Sequence, residues 1–540
     1  NRADADELFS LPGITQADAE SLVQTRKQLH GFKRWDDLLR VPDFSREKLK
    51  QLETFAYIRP PVDRSDGRVE LSVSETANDG KAYYARARMR ADVDERIFWG
   101  LSSMREDDAT YRWREGIVID PPGWRLDKFY VEWRGKGVVN QIVVGNYTAG
   151  FGAGLVFNDA HRFTPKGLYM DDTLSRNRQR GIAVSLSWKP IQQTIFISAL
   201  DYPTILPPQT TGLKWQRTIN DIYTERLLGT NILFNLSRSS NIGFTWYRSI
   251  IDKHLDAEFL NLPNKERWGA YGLYFNTVVS DVHLRGEVSQ MENPSEEEPV
   301  DFGRAMYLEL STKYKSADFL ASLRRYDMEF QNPHSRGFAD ADDSRSKDID
   351  GDIDETGVYM RLRYTPTAQI HIRAYYDQWQ HPSTHLTDNE AYIELEYRPI
   401  RLIRLGISSK WDDNDLSIHG DERVGSLFWT QLKPSRALRF TTAYRWFRIR
   451  KTAITYDDYA YLKIEWFPRE WLEFEARWKI NDTKITDGDT FPKEGYLQLQ
   501  IWNKLGWEGR FRYTRRHYGV SSRAIPNPKH IMFLKLAYKW

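Results

Sequence analysis

The run Ile531-Met532-Phe533-Leu534-Lys535-Leu536-Ala537-Tyr538-Lys539-Trp540 constrains the fold more than any other stretch of this chain. Every second position, Met532, Leu534, Leu536, Tyr538 and Trp540, is apolar or aromatic. Successive side chains of a strand point to opposite faces, so the run reads as a strand with one greasy face. A soluble protein seldom ends on an unprotected strand of this kind, because its free edge invites other chains. A closed barrel in a membrane uses such a strand: it pairs with the first strand, and its apolar face meets lipid.

The same period of two recurs from about residue 66 onward. Val358, Met360, Leu362 and Tyr364 alternate with Tyr359, Arg361 and Arg363. Ile370, Ile372, Ala374 and Tyr376 alternate with His371, Arg373 and Asp377, and Ala391, Ile393, Leu395 and Tyr397 with Glu394, Glu396 and Arg398. Leu472, Phe474, Ala476, Trp478 and Ile480 alternate with Glu473, Glu475, Arg477 and Lys479. One face suits hydrocarbon; the other is charged enough to need water. Pro366, Pro399, Pro434 and Pro468 mark tight links 33, 35 and 34 residues apart, and Pro190 marks a fifth. Longer polar stretches such as 336–356, 380–389, 411–422 and 481–493 lie between them. Short turns at one end and long loops at the other describe an up-and-down meander with periplasmic short ends. A propeller has a similar spacing, but its blades share a motif that is absent here.

The expected fold is mainly β: a large antiparallel up-and-down transmembrane β-barrel of about 24 strands, roughly 22–26. A small all-α unit over residues 1–58 and a proline-containing linker over 59–66 precede a barrel over 67–540. A barrel of that size has a wide lumen unless something fills it. The loops 107–125, 158–179 and 203–225 are the expected fillers, being long and rich in aromatic residues or proline. No separate plug domain is expected.

Composition fits this reading. Mean hydropathy is −0.64, and no stretch is apolar enough for a spanning helix. A barrel strand shows lipid only every second side chain, so its mean hydropathy stays low. The 19 Trp and 29 Tyr residues suit interfacial girdles. The absence of cysteine excludes disulfides, thiol catalysis and Cys-ligated zinc. The abrupt start at Asn1 fits a processed mature chain. A formal net charge of +2 gives no global case for nucleic acid.

The first 58 residues have helical periodicity. Leu8, Leu11 and Ile14, then Ala19, Leu22, Val23 and Leu29, read as two short helices broken at Pro12-Gly13. Leu38, Leu39 and Val41 suggest a third helix, interrupted by Pro42, and Leu49 and Leu52 a fourth. The order Leu11-Pro12-Gly13-Ile14-Thr15, Arg26, Gly31-Phe32 and Asp37-Leu38-Leu39-Arg40-Val41 resembles the tandem helix-hairpin-helix fold of competence-type DNA-binding proteins. In that family hairpin N–H groups receive a DNA phosphate. The resemblance implies DNA contacts at Gly13, Thr15, Lys27, Lys33 and Arg34. Two departures argue for an adaptor instead. Thr15 replaces the second hairpin glycine, and the next hairpin, Pro42-Asp43-Phe44-Ser45, has an acid where phosphate would sit. Residues 1–60 also carry equal numbers of basic and acidic residues, whereas DNA binding requires a basic face.

The C-terminal run resembles the signature by which bacterial outer-membrane barrels are recognised for assembly, with Tyr538 and Trp540 at its aromatic positions. Gly145 to Leu155 forms a glycine cluster in which Gly150, Gly152 and Gly154 would share one face of a strand. It resembles a pattern in Bacteroidota-like barrels, a poorly characterised family, that also carry an N-terminal helix-hairpin-helix region. The cluster suits either a bend in the wall or close approach of a loop.

Asp348, Asp350, Asp352, Asp354 and Glu355 surround a glycine in a loop expected outside the barrel. Alternating carboxylates there suit calcium, and a solvated acidic loop accounts for them equally. The inward-facing Arg361, Arg363, Arg373, Glu394, Glu396, Glu473, Glu475 and Arg477 would line a pore or pair across strands as a polar wall. No local nucleophile or zinc motif accompanies the 11 His residues, so no enzyme activity is expected.

Together these features suggest an outer-membrane channel for a solute or polymer with a periplasmic adaptor. DNA uptake, or a non-conducting anchor for a partner, are the alternatives. The partners implied are outer-membrane lipid and lipopolysaccharide, the barrel-assembly machinery, and periplasmic or surface subunits, with DNA less favoured.

Overall fold

The computed structural model describes residues 8, 14, 16–28, 32, 35–41, 44 and 49 of the first segment. From residue 66 on, it describes all but the stretches 78–81, 94–95, 107–110, 114–116, 120–123, 160–164, 166, 172–178, 207–216, 238, 254–266, 293–302, 336–353, 414–421, 451–453, 457, 483–492, 504, 518–528 and 540. The chain forms two compact units, Asn1–Asp66 with Asp92–Asp94, and Gly67–Ala91 with Glu95–Trp540.

In the first unit, helix Gln16–Gln28 and a 3-10 turn over Trp35–Arg40 enclose a small core. Ile14, Ala19, Leu22, Phe32, Leu38, Val41, Phe44 and Leu49 are buried in it. The third segment was expected as an α-helix. Among the described residues it is a single 3-10 stretch, consistent with Pro42 closing it after six residues.

The second unit is a closed ring of 24 antiparallel strands. Four short strands, Tyr111–Trp113, Ile117–Ile119, Gly167–Met170 and Ile454–Tyr456, attach to it without entering the ring. Closure is made by Asp66–Ala77 against Lys529–Lys539, in register from Arg68 opposite Lys539 to Ala77 opposite His530. The strand with the most diagnostic sequence is therefore the one that seals the sheet.

The recurring prolines have a more specific place than a turn. Pro366, Pro399, Pro434 and Pro468 each fall where the ladder slips, between Tyr364 and Thr367, Tyr397 and Ile400, Leu432 and Ser435, and Trp466 and Arg469. A two-residue turn follows each slip. Proline cannot donate to a ladder, and a bulge is where a strand tolerates that loss.

The exterior is apolar. Leu273, Ile393 and Leu497 are 56%, 56% and 62% exposed, while their strand neighbours point inward. So continuous an apolar surface is suited to hydrocarbon rather than water. Trp188, Trp466, Trp471, Trp507 and Tyr314 lie on it close to the short turns, where a membrane interface holds such rings. No helix among the described residues is long and apolar enough to cross a membrane, which says nothing of crossing by strands.

Candidate functional site

The inner face of the barrel differs between its two halves. On strands Ile191–Leu206, Ser240–Lys253 and Arg304–Tyr314 the inward Phe196, Tyr247 and Tyr307 are almost fully buried. They are covered by two segments that turn in from the long-loop end. The first follows strand Val139–Gly150 and runs from Phe151 to Asp159; the second follows strand Ala317–Tyr326 and runs from Asp327 to Ser335. Phe151, Ala153, Leu155, Val156 and Phe157 join Phe196, Leu227, Tyr247, Trp268 and Tyr274 in one apolar cluster. Phe157 lies 4.7 Å from the Phe196 ring and 5.4 Å, edge-on, from Tyr247.

This corrects one expectation. The glycine cluster is not a continuous strand: the strand stops at Gly150, and Gly152 and Gly154 take left-handed conformations with φ of 60° and 91°. The described filling is made by 151–159 and 327–335; most of the expected filler loops 107–125, 158–179 and 203–225 lies outside the described residues, but Leu168 and Met170 of the second and Tyr223 of the third pack in the same cluster. The segment 151–157 is apolar enough to bury itself against the wall.

The glycines turn backbone donors toward one carboxylate. Glu287, from strand Val282–Met291, accepts N–H bonds from Ala153 at 2.5 Å, Val156 at 3.1 Å and Leu155 at 3.2 Å. Consecutive N–H groups in such turns form an anion nest. A Cβ on Gly152 would meet Glu287 Oε2 at 2.6 Å, so only glycine fits.

The two segments lock together. Asn332 Nδ2 donates to the carbonyls of Leu155 and Val156, 2.9 Å each, and Tyr247 donates its hydroxyl to Asn332 Oδ1. Asn158 N donates to the His334 carbonyl at 2.8 Å. The His334 ring sits between Asp159, 3.1 Å from Nδ1, and Glu225, 2.8 Å from Nε2. Gln179 also donates to Asp159. Burial alone would lower the His334 pKa; the flanking Glu225 and Asp159 reverse this and push it up to about 10. The imidazolium is thus a charged clasp joining both segments to the wall.

In the opposite half, from strand Glu355–Thr367 through Trp507–His517, inward side chains range from buried, as at Asp377, Glu390 and Glu394, to exposed, as at Arg373. All eight residues expected to line a pore have inward parity here. Several pair across strands: Arg361 with Asp318 at 3.4 Å, Arg373 with Glu394 at 2.6 Å, and Glu396 with Arg398 and Arg404 at 2.5 and 2.7 Å. Glu475 contacts Lys463 at 3.3 Å and accepts from the Tyr496 hydroxyl, while Arg477 lies over the Tyr461 ring. Yet the Arg373 side chain is 57% exposed, so solvent reaches this wall. Arg363 and Glu473 stand on the same face.

Other expected residues are placed differently. Gly13, Thr15, Lys33 and Arg34, the Lys27 side chain, Asp348, Asp350, Asp352 and Trp540 lie outside the described residues. Asp354 accepts the Ser383 N–H at 2.6 Å, and Glu355 pairs with the buried Arg324. Both carboxylates thus already have protein partners. Tyr538 faces outward, its ring 4.7 Å from that of Trp507. Sequence reading missed Glu287, Asn332 and His334. Alternate glycines followed by an apolar run could have signalled the nest, but nothing local marks its distant partners.

Residues 1–57 match the family described as Helix-hairpin-helix motif. No curated relative matches the chain. Among solved structures, the P pilus usher (PapC) translocation pore aligns at 9% identity, TM-score 0.41, over 88% of this chain and 99% of that one. A mutant of the ferric enterobactin receptor PfeA from Pseudomonas aeruginosa aligns at 7% identity, TM-score 0.48, over 89% and 81%. OccAB2 from Acinetobacter baumannii aligns at 13% identity, TM-score 0.35, over 65% and 97%. These are likenesses of general outline.

Proposed function

We propose that this chain is an outer-membrane channel whose solute passes along the open half of the lumen, beside the two in-folded segments. The carrying observation is the contrast within one barrel: inner-face Phe196 and Tyr247 are fully buried, while inner-face Arg373 remains exposed. An anchor with no transport role would have no use for a solvent-lined wall inside an apolar shell. The in-folded segments narrow the lumen of a barrel this wide.

In this reading the short turns face the periplasm and the long loops face outward, as in other bacterial barrels. The first strand starts at the short-turn end, and we assign the helix-hairpin-helix unit that precedes it in sequence to the periplasm. We assign it an adaptor role for a periplasmic partner rather than DNA binding, because basic and acidic residues balance over residues 1–60.

Purified full-length protein in a planar bilayer tests the proposal. Discrete conductance steps are expected. A correctly folded protein that inserts without conducting would refute the channel and favour the anchor.

A further inference from the structure

We infer that the wall between strands Glu355–Thr367 and Asp458–Arg469 binds neutral carbohydrate, through aromatic rings laid flat on its inner face; this rests on the channel reading above. Two pairs set the pattern. Trp429, on strand Glu422–Ser435, is directly opposite Gly406, and Phe447, on strand Leu438–Arg450, is directly opposite Gly425. A Cβ on Gly406 would collide with the indole of Trp429, and one on Gly425 would meet Phe447 Cδ2 at 2.5 Å. Each ring therefore lies over the bare backbone of the neighbouring strand, with one face to the wall and the other to the lumen.

The same device occurs, filled, in the other half of the barrel. Phe196 lies over Gly229 and Tyr274 over Gly243. There the chain's own apolar segment covers the rings, with Phe157 4.7 Å from Phe196. Trp429 and Phe447 are only half-buried. Arg404 and Arg445 stand 5.7 and 5.1 Å from their ring centroids, beyond the roughly 3.5–4 Å of face contact, so they flank the rings rather than cover them.

Further rings extend the two platforms into a strip. Tyr359, Tyr375 and Tyr392 follow one another on three consecutive strands, with centroids 5.9 and 5.2 Å apart. Tyr459 and Tyr461 continue it beyond Phe447. Adjacent strands are about 4.8 Å apart, so a solute crossing this wall meets a ring at every strand or every second one. Rows of opposed residues cross the strands at right angles, and barrel strands tilt by roughly 35–45°, so the strip climbs obliquely along the lumen instead of encircling it.

The groups between the rings decide the solute class. Glu396 pairs with Arg404 at 2.7 Å beside Trp429, Lys410 with Glu390 at 2.9 Å, and the Tyr392 hydroxyl donates to Glu394 at 2.7 Å. Paired carboxylates and cations keep further lone pairs and N–H groups for a solute. Both signs recur along the strip, and Glu465, Glu473 and Glu475 cluster at its short-turn side. The wall thus offers donors and acceptors together, and its recognition needs no net field of either sign. A sugar ring has the matching shape: C–H groups on its faces, which suit the electron-rich face of an aromatic ring, and hydroxyls at its edge. An aliphatic solute would leave the flanking polar groups unpaired, and a small inorganic ion would gain nothing from the rings.

The test is block of the ion current through full-length protein in a planar bilayer. The probes are maltohexaose and cellohexaose, with polyethylene glycol of matched hydrodynamic radius as the control for simple obstruction. At least one hexasaccharide should block at a concentration at which the glycol does not. In the double variant Trp429→Leu, Phe447→Leu, which keeps apolar cover over both glycines, the half-blocking concentration should rise roughly tenfold. Trp429→Phe with Phe447→Tyr keeps the flat rings and should retain the block, which separates loss of the platforms from a folding defect. Hexasaccharide block no stronger than that of the glycol, or block unchanged by the leucine substitutions, overturns this inference and leaves the channel standing. Absence of conductance overturns both.

Discussion

His334 Nε2 lies 2.8 Å from Glu225 Oε1, and this contact ties an in-folded segment to the barrel wall. Glu225 sits on strand Arg217–Asn235, while His334 arrives from the turn after Tyr326. The pair, with Asp159 on the other side of the ring, closes a polar seam over an apolar cluster.

Substituting His334→Gln removes the charge while retaining a hydrogen-bonding side chain. Buried Asp159 and Glu225 then lose the cation between them, a loss of about 3–5 kcal/mol by analogy with broken buried ion pairs. The in-folded segments should loosen without loss of the barrel. Hydrogen exchange at the amides of 151–159 should accelerate, while exchange in strand Ile370–His381 stays unchanged.

The same clasp sets a pH dependence. The folded pKa of His334 is raised from the ordinary 6.5 to about 10, so protonation favours the closed arrangement. That contribution is full below pH 6.5, erodes from there upward and is gone above about 10. Exchange protection of 151–159 in wild type should therefore decline between these limits. In His334→Gln it should be flat over the same range.

At Gly152, substitution by alanine meets two penalties: a φ of 60° and a contact at 2.6 Å with Glu287 Oε2. A loss of about 1–3 kcal/mol in the in-folded segment is expected from strain alone. Single-channel conductance should become noisier as the segment detaches at intervals. A quiet trace identical to wild type would show that the nest does not hold the segment.

On the exterior, Ile393→Arg places a cation in hydrocarbon and should destabilise the folded barrel by about 2–4 kcal/mol if near the midplane. Glu394→Gln, one residue along and inward, should cost less, since Arg373 keeps solvent contact. Denaturant titrations of both variants in vesicles check the difference.

How far the sequence reaches is clear at particular residues. The alternation at 391–397 and the closing run before Trp540 were legible, because lipid imposes a period of two on every spanning strand. The number of strands followed from counting these runs. What filled the lumen was not legible. Phe151 to Phe157 continues the apolar character of its strand, and only the positive φ at Gly152 and Gly154 turns it inward. Glu287 and His334 reach it from more than 130 residues away in sequence, a closeness that exists only in the folded barrel. The proline repeats were found, but their place at bulges rather than in turns depends on ladder register.

Which way each side chain faces separates a lipid-facing shell from a solvent-lined wall, and the cysteine-free chain permits a direct measurement. Single substitutions to cysteine along 391–397, in protein reconstituted in vesicles, are challenged with a charged, membrane-impermeant thiol reagent. Tyr392→Cys, Glu394→Cys and Glu396→Cys should react, and Ala391→Cys, Ile393→Cys, Leu395→Cys and Tyr397→Cys should not. Uniform labelling, or the opposite alternation, would contradict an apolar shell around a solvent-lined wall.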